Sequence, residues 1–266
     1  MKVSAMLFSL LVACQVLPVA MHSAAAQSEM MTKVDVDDVQ RAHFADQFGP
    51  ERLRTEYNGA VARVRQLAGK WQAHTYDFVV DTNMALAGGN VIKTQSKTSY
   101  AYDQDGRMRN VSSTAGLERI VIADPTTQTV YLVCPERKEV LRMAGAALAS
   151  PPGAAPAWKM PDADKSGTST NLGEKTIAGV KATGTKVERT IPAGAQGNDK
   201  PLVHTSETWF SIDLATLMYS HLHMPEFGEI VMHVENLKFG DVPASTFALP
   251  EGYAIHDIAL AKNAAK

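Results

Sequence analysis

From residue 36 to residue 67 apolar side chains recur every three or four positions. Val39, Phe44, Phe48, Leu53, Tyr57, Val61, Val64 and Leu67 carry the pattern, with Arg and Glu between them. That spacing predicts amphipathic helix with one apolar stripe. Phe48-Gly49-Pro50 splits the run, and Pro50 stands where a first helical residue tolerates the missing N–H. Gly69 closes it. From Lys70 onward the period drops to two. Tyr76, Phe78 and Val80 alternate along a first strand, Ala87-Gly88-Gly89-Asn90 suits a tight turn, and residues 91–102 return. Asp103-Gln104-Asp105-Gly106, Asp124-Pro125-Thr126-Thr127 and Pro135-Glu136-Arg137-Lys138 punctuate further runs. Those runs include Ile120-Val121-Ile122-Ala123 and Val130-Tyr131-Leu132-Val133-Cys134. Short strands joined by short polar turns predict an antiparallel meander.

Residues 145–170 break the rhythm. They are rich in Ala, Pro, Gly and Ser, with few large apolar groups to offset the entropy of ordering, and read as a flexible insertion. Alternation resumes through Lys175–Ile191, 203–210, 215–223 and 229–239, where Trp209, Phe210 and Tyr219 offer bulk for a core. Phe247-Ala248-Leu249-Pro250, Tyr253 and Ile255 are placed to cover a sheet edge, which would otherwise invite pairing with another chain. The expected architecture is mainly β with N-terminal helices. A helical segment spans 27–69, an antiparallel β domain spans 70–260 as a curled sheet with the helices on one face, and 261–266 form a tail.

The amino terminus is of another kind. Met1-Lys2, an almost uncharged apolar stretch from Val3 to Ala20, and Ala24-Ala25-Ala26 together read as an export signal over residues 1–26. Leu11-Val12-Ala13-Cys14 leaves a second route, in which Cys14 becomes an acylated first residue. The expected location is therefore periplasmic or secreted, with lipid anchoring at Cys14 as the alternative. No later stretch approaches the roughly 18–20 apolar residues of a membrane span. Removing residues 1–26 takes away one charge, Lys2, and leaves 25 basic against 28 acidic residues, a net of −3. Such a balance offers no electrostatic case for nucleic acid, which requires a concentrated basic face. On either route Cys134 lacks an intramolecular disulfide partner, which points to a buried small hydrophobe.

Three stretches carry a resemblance. Leu172-Gly173 through Ile177-Ala178-Gly179-Val180 to Gly184-Thr185, then Arg189-Thr190-Ile191-Pro192-Ala193-Gly194 and Gly197-Asn198-Asp199, form the first. Glu207-Thr208-Trp209-Phe210-Ser211, Phe227-Gly228-Glu229, Phe247, Pro250 and Tyr253 extend it, and Thr98-Ser99-Tyr100, Asp105-Gly106-Arg107 and residues 120–125 add an upstream part. Together they resemble a family of uncharacterised exported bacterial proteins of acidobacterial type, over residues 75–258. No activity comes with that family. More remotely, the succession of hairpins, the strand around Tyr131-Leu132 and Pro250-Glu251-Gly252-Tyr253 resemble the half-barrel of periplasmic lipoprotein carriers. That resemblance implies a half-barrel packed over helix, with a hollow lined by such residues as Phe78, Val80, Ile122, Leu132 and Trp209. The function implied is binding or carriage of an apolar ligand, a lipid or an acylated protein. The alternative is a non-catalytic interaction or structural protein of the envelope.

Enzyme chemistry finds little footing. No Gly-Xaa-Ser-Xaa-Gly elbow and no His-Glu-Xaa-Xaa-His stands in the chain. His204, Ser206 and Glu207 could be drawn as a triad, but adjacent strand residues face opposite sides. Met218, His221, His223, Met224, Met232 and His233, with His204 more distant, are the residue types that suit copper. Methionines also fill cores, and Pro225 makes this region a strand end, so no metal and no cofactor is expected.

Overall fold

The structure, a computed structural model, describes residues 50–258 except 68, 87, 115 and 149–166. The expected export signal, the first amphipathic segment, residues 149–166 of the 145–170 insertion and the 261–266 tail lie outside the described residues. Contacts divide the chain after Arg52. Of the first unit, Pro50–Arg52 are described and form the opening turn of helix α1 (Pro50–Gln66). The second unit, from Leu53, holds everything that follows. None of its described helices is long and apolar enough to cross a membrane.

Twelve strands follow α1: β1 (His74–Ala85), β2 (Val91–Tyr102), β3 (Met108–Thr114), β4 (Leu117–Asp124), β5 (Thr129–Cys134) and β6 (Glu139–Ala144). After the insertion come β7 (Thr168–Ile177), β8 (Val180–Ile191), β9 (Leu202–Ser211), β10 (Thr216–Met224), β11 (Gly228–Phe239) and β12 (Ala254–Asp257). They form one sheet in the order β12-β6-β5-β4-β3-β2-β1-β11-β10-β9-β8-β7. Local hairpins build both halves, and the long-range pair β1–β11 joins them, with Phe78 opposite Val234. Every pair is antiparallel except β12–β6, which is parallel with Ile255 opposite Val140.

This corrects the expected curled sheet or half-barrel. The sheet is open, and its end strands β12 and β7 do not pair with each other. A half-barrel turns one apolar face into a hollow. Here Ile120–Ala123 and Val130–Cys134 (except half-buried Tyr131) are buried on both faces of β4 and β5, so each face needs its own cover. On one face α1 supplies it: Leu53, Tyr57, Ala60 and Leu67 are buried, as are Tyr102, Met108, Val121, Leu132 and Met143 of the strands. The turn before β3 admits the helix because Gly106 has φ +79° and no Cβ. A Cβ there would sit 2.4 Å from Val64 Cγ2. On the other face Phe247 packs with Ala101, Ile120, Ile122, Val133 and Val140, flanked by Val242, Leu249 and Tyr253. The C-terminal segment thus does two things: it covers a face, and through β12 it extends the edge.

Candidate functional site

Two hairpins end side by side at one end of the sheet. Leu86 N donates to Asn90 O at 2.8 Å to close the β1–β2 turn, and Ala85 N donates to Phe227 O of the β10–β11 turn at 3.3 Å. Gly228 makes that approach feasible: with φ +106°, it brings its backbone so near β1 that a Cβ would lie 2.0 Å from Asn83 O. The apolar side chains here are not covered by any of the described residues. Leu86, Val91, Ile92 and Phe227 are 41, 52, 44 and 59% exposed, four of the nine exposed large apolar side chains among the described residues. Singly such residues are ordinary; here Val91 and Ile92 point to opposite faces of β2, so the four surround the tip of the two hairpins and do not share one face. Beside it, His204 Nε2 and Glu226 Oε1 meet at 2.5 Å across the ends of β9 and β10.

A second feature lies under α1 at the other end of β2. A crevice of about 190 Å³ is bounded by Glu56, Gly59, Ala60 and Arg63 of the helix and by Tyr100, Tyr102 and Met108 of the sheet. Arg63 Nη1 donates to the Tyr102 hydroxyl, and the guanidinium carbon lies 5.1 Å from that ring's centre. The aromatic floor is continuous: His74 stacks on Tyr102 at 4.8 Å, Tyr76 on Tyr100 at 5.0 Å, and Trp71 meets Tyr102 edge-on at 5.7 Å. Burial pushes the Tyr102 hydroxyl well above the usual phenol range, against the pull of the Arg63 charge. Burial also lowers His74, opposed by the bond between Nδ1 and Gln72 O and assisted by Arg63. Burial would lower Arg63 itself, yet the phenols of Tyr102, Tyr76 and Tyr100 outweigh it, and the group is held more firmly protonated.

The five residues expected to line one hollow are divided between faces. Following cross-strand partners, Phe78 and Val80 share the helix-side face with Leu132. Ile122 and Trp209 stand on the opposite face. Leu132 and Ile122 are fully packed in separate cores. Trp209 lies over Gly184 of β8, donates from Nε1 to Glu207 Oε1 at 2.6 Å, and carries Lys175 Nζ 3.8 Å above its ring. Neither the hairpin-end patch nor Arg63 was among these residues. Apolar residues flanking two turns, where polar ones are usual, are the signal for the first. An arginine between Ala60 and Leu67 at helical spacing is the signal for the second.

The histidines and methionines also part company. His221, His223 and His233 share the face of Trp209, whereas Met232 pairs with Ser220 and Val80 on the helix side, and Met218 is buried. Among the described residues, no group of three or more His, Cys, Asp or Glu side chains is arranged to hold a metal ion. His204 and Glu207 face opposite sides of β9, and His204 is bound to Glu226, so no triad forms. Cys134 is buried at the end of β5, and burial pushes its thiol up to about 11, despite the nearby Arg119 and Arg137. That thiol is unsuited to nucleophilic work.

No family model matches the chain, so the expected membership of an exported bacterial family is not shown. No curated protein matches it either. Among solved structures, it is similar to an uncharacterized conserved protein from Thermus thermophilus, at 9% identity and TM-score 0.38, over 75% of this chain and 99% of that one. It is also similar to MucB in a MucA/MucB complex from Pseudomonas aeruginosa, at 14% identity and TM-score 0.39, over 75% of this chain and 64% of that one. The lipoprotein LppX from Mycobacterium tuberculosis is similar at 15% identity and TM-score 0.29, over 67% of this chain and 94% of that one.

Proposed function

We infer that the protein is a non-catalytic binding protein of the bacterial envelope that takes an apolar partner, a lipid or an acylated protein, on the hairpin-end patch. The observation that carries the reading is the gathering of Leu86, Val91, Ile92 and Phe227 at adjoining turns. Burying such side chains against acyl chain removes apolar surface from water, at about 25 cal/mol per Å². An enclosed site for a whole acyl chain is a weaker reading. The crevice under α1 holds about 190 Å³, below the roughly 300–1,000 Å³ of pockets for drug-sized ligands, and the hollow of about 400 Å³ beside Asp77, Arg109 and Lys238 is open and lined by charge. The export signal over residues 1–26 supports an envelope location.

A dansylated fatty acid titrated against the mature protein tests this reading. Saturable binding is expected, weakened at least about tenfold in a Leu86→Ser/Ile92→Ser/Phe227→Ser variant that keeps its urea midpoint, a factor equal to about 1.4 kcal/mol. Wild-type protein that takes up no acyl probe would remove the lipid reading. Capture of an envelope protein by the wild type but not by the variant would then favour the interaction-protein alternative.

A further inference from the structure

Among the described residues, the crevice under α1 pairs its cation, Arg63, with no carboxylate. Arg63 has five N–H donors, and its recorded partners among the described residues are tyrosines, which are neutral. A half-buried guanidinium served by phenols alone keeps most of its hydrogen-bonding capacity in reserve. Glu56 also lines the crevice, but it lies two helical turns away, about 10 Å by helical rise, and its Oε2 accepts from Asn110 Nδ2 at 3.4 Å. Between the two charged residues Gly59 and Ala60 keep the helix surface low. Opposite them, the rings of Tyr100 and Tyr102 and the Met108 side chain form a mostly apolar floor.

We propose that this crevice binds the carboxylate group of a small organic acid, with Arg63 as its anchor and Tyr102 as its support. The guanidinium fork matches a carboxylate in a bidentate pair, and one cation balances one negative charge. A phosphate dianion would leave charge uncompensated beside Glu56. The space is small, about 190 Å³, and suits a short acid or the head of a longer one. The site lies near the end of β2 opposite the hairpin-end patch, roughly 35 Å along a twelve-residue strand. It therefore stands independently of the function inferred above. The carboxylate can come from a free short-chain acid or from the head of a longer fatty acid whose tail leaves the crevice.

Butyrate, with six heavy atoms, and its uncharged isostere butyramide separate charge recognition from simple filling. In an NMR titration of the mature protein, butyrate is expected to move the Gly59, Ala60 and Met108 amides saturably and to bind at least about tenfold more tightly than butyramide. Arg63→Gln should erase that preference, and Arg63→Lys should retain part of it, since the charge remains without the fork. Should Arg63→Gln fail to fold, Arg63→Lys carries the test alone: a butyrate preference unchanged from wild type would count against the guanidinium fork. A decanoate affinity above that of butyrate would identify a fatty acid as the source of the carboxylate, and an equal or lower one a short acid. Equal response to butyrate and butyramide, or no response at those amides, would overturn the proposal and leave Arg63 a structural brace for Tyr102.

Discussion

At the scale of single residues, the sharpest constraint lies where β8 passes β9. Gly184 pairs with Trp209, and the indole lies so close over it that a Cβ at 184 would sit 2.6 Å from the Cη2 and Cζ3 atoms. The ring cannot swing away cheaply, because Glu207 holds its N–H and Lys175 caps its face. Gly184→Ala should therefore destabilise the protein by about 1–3 kcal/mol, as overpacking does. In a Trp209→Val background the same change should cost almost nothing. Urea unfolding of the four proteins of this cycle measures the coupling, and equal costs in both backgrounds would contradict the contact. The glycine's role as a platform was not legible, since nothing local to Gly184 encodes which side chain of β9 lies over it. Burial of Trp209 and Cys134 was legible from residue type and neighbours. The face Trp209 occupies was not, because one residue of register decides it.

At the scale of elements, the hairpins were readable because each is closed by its own local chemistry. Asp124 Oδ1 accepts from Thr126 N at 2.8 Å, and Lys138 adopts φ +53° where Pro135-Glu136-Arg137-Lys138 marks a turn. The parallel strand β12 was not, since its partner β6 lies more than a hundred residues earlier and nothing local encodes the pairing. Ala254 N donates to Lys138 O at 2.9 Å and Ile258 N to Arg142 O at 2.8 Å, so backbone bonds dock the strand. The Arg142–Asp257 pair, at 2.6 and 2.8 Å, is exposed on both sides and adds little in salt. Asp257→Asn should then leave the urea midpoint almost unchanged. Ending the chain after Tyr253 should instead lower that midpoint and produce dimers by light scattering, because the β6 edge is uncovered. A monomeric truncation with native stability would show that β12 is dispensable as an edge cover.

At the scale of the whole molecule, the class of fold was legible and its closure was not. Alternation and turns specify strands and their neighbours, but whether a sheet curls or stays open depends on what covers each face. The β4 and β5 runs, apolar without interruption, were the available sign that both faces are covered. That cover is unequal along the sheet. β5 is buried at five of its six residues, while the end strand β7 is exposed at eight of ten. The edge at β7 is also interrupted by a bulge between Asn171 and Gly173, where Gly173 N donates to the side-chain Oδ1 of Asn171 at 2.7 Å. Local opening follows the lack of buried apolar contact, so stability should grade across the strands rather than hold one value. Native-state hydrogen exchange should find the highest protection in β4 and β5, intermediate values in β1 and β11, and the lowest in β7 and the adjoining half of β8. The Leu53–Gln66 part of α1 should exchange with β3, because Tyr57, Ala60 and Arg63 are packed on that part of the sheet. Protection of β7 equal to that of β5 would mean that the sheet opens as one unit, with the β1–β11 pair transmitting the stability of the covered half to the exposed one.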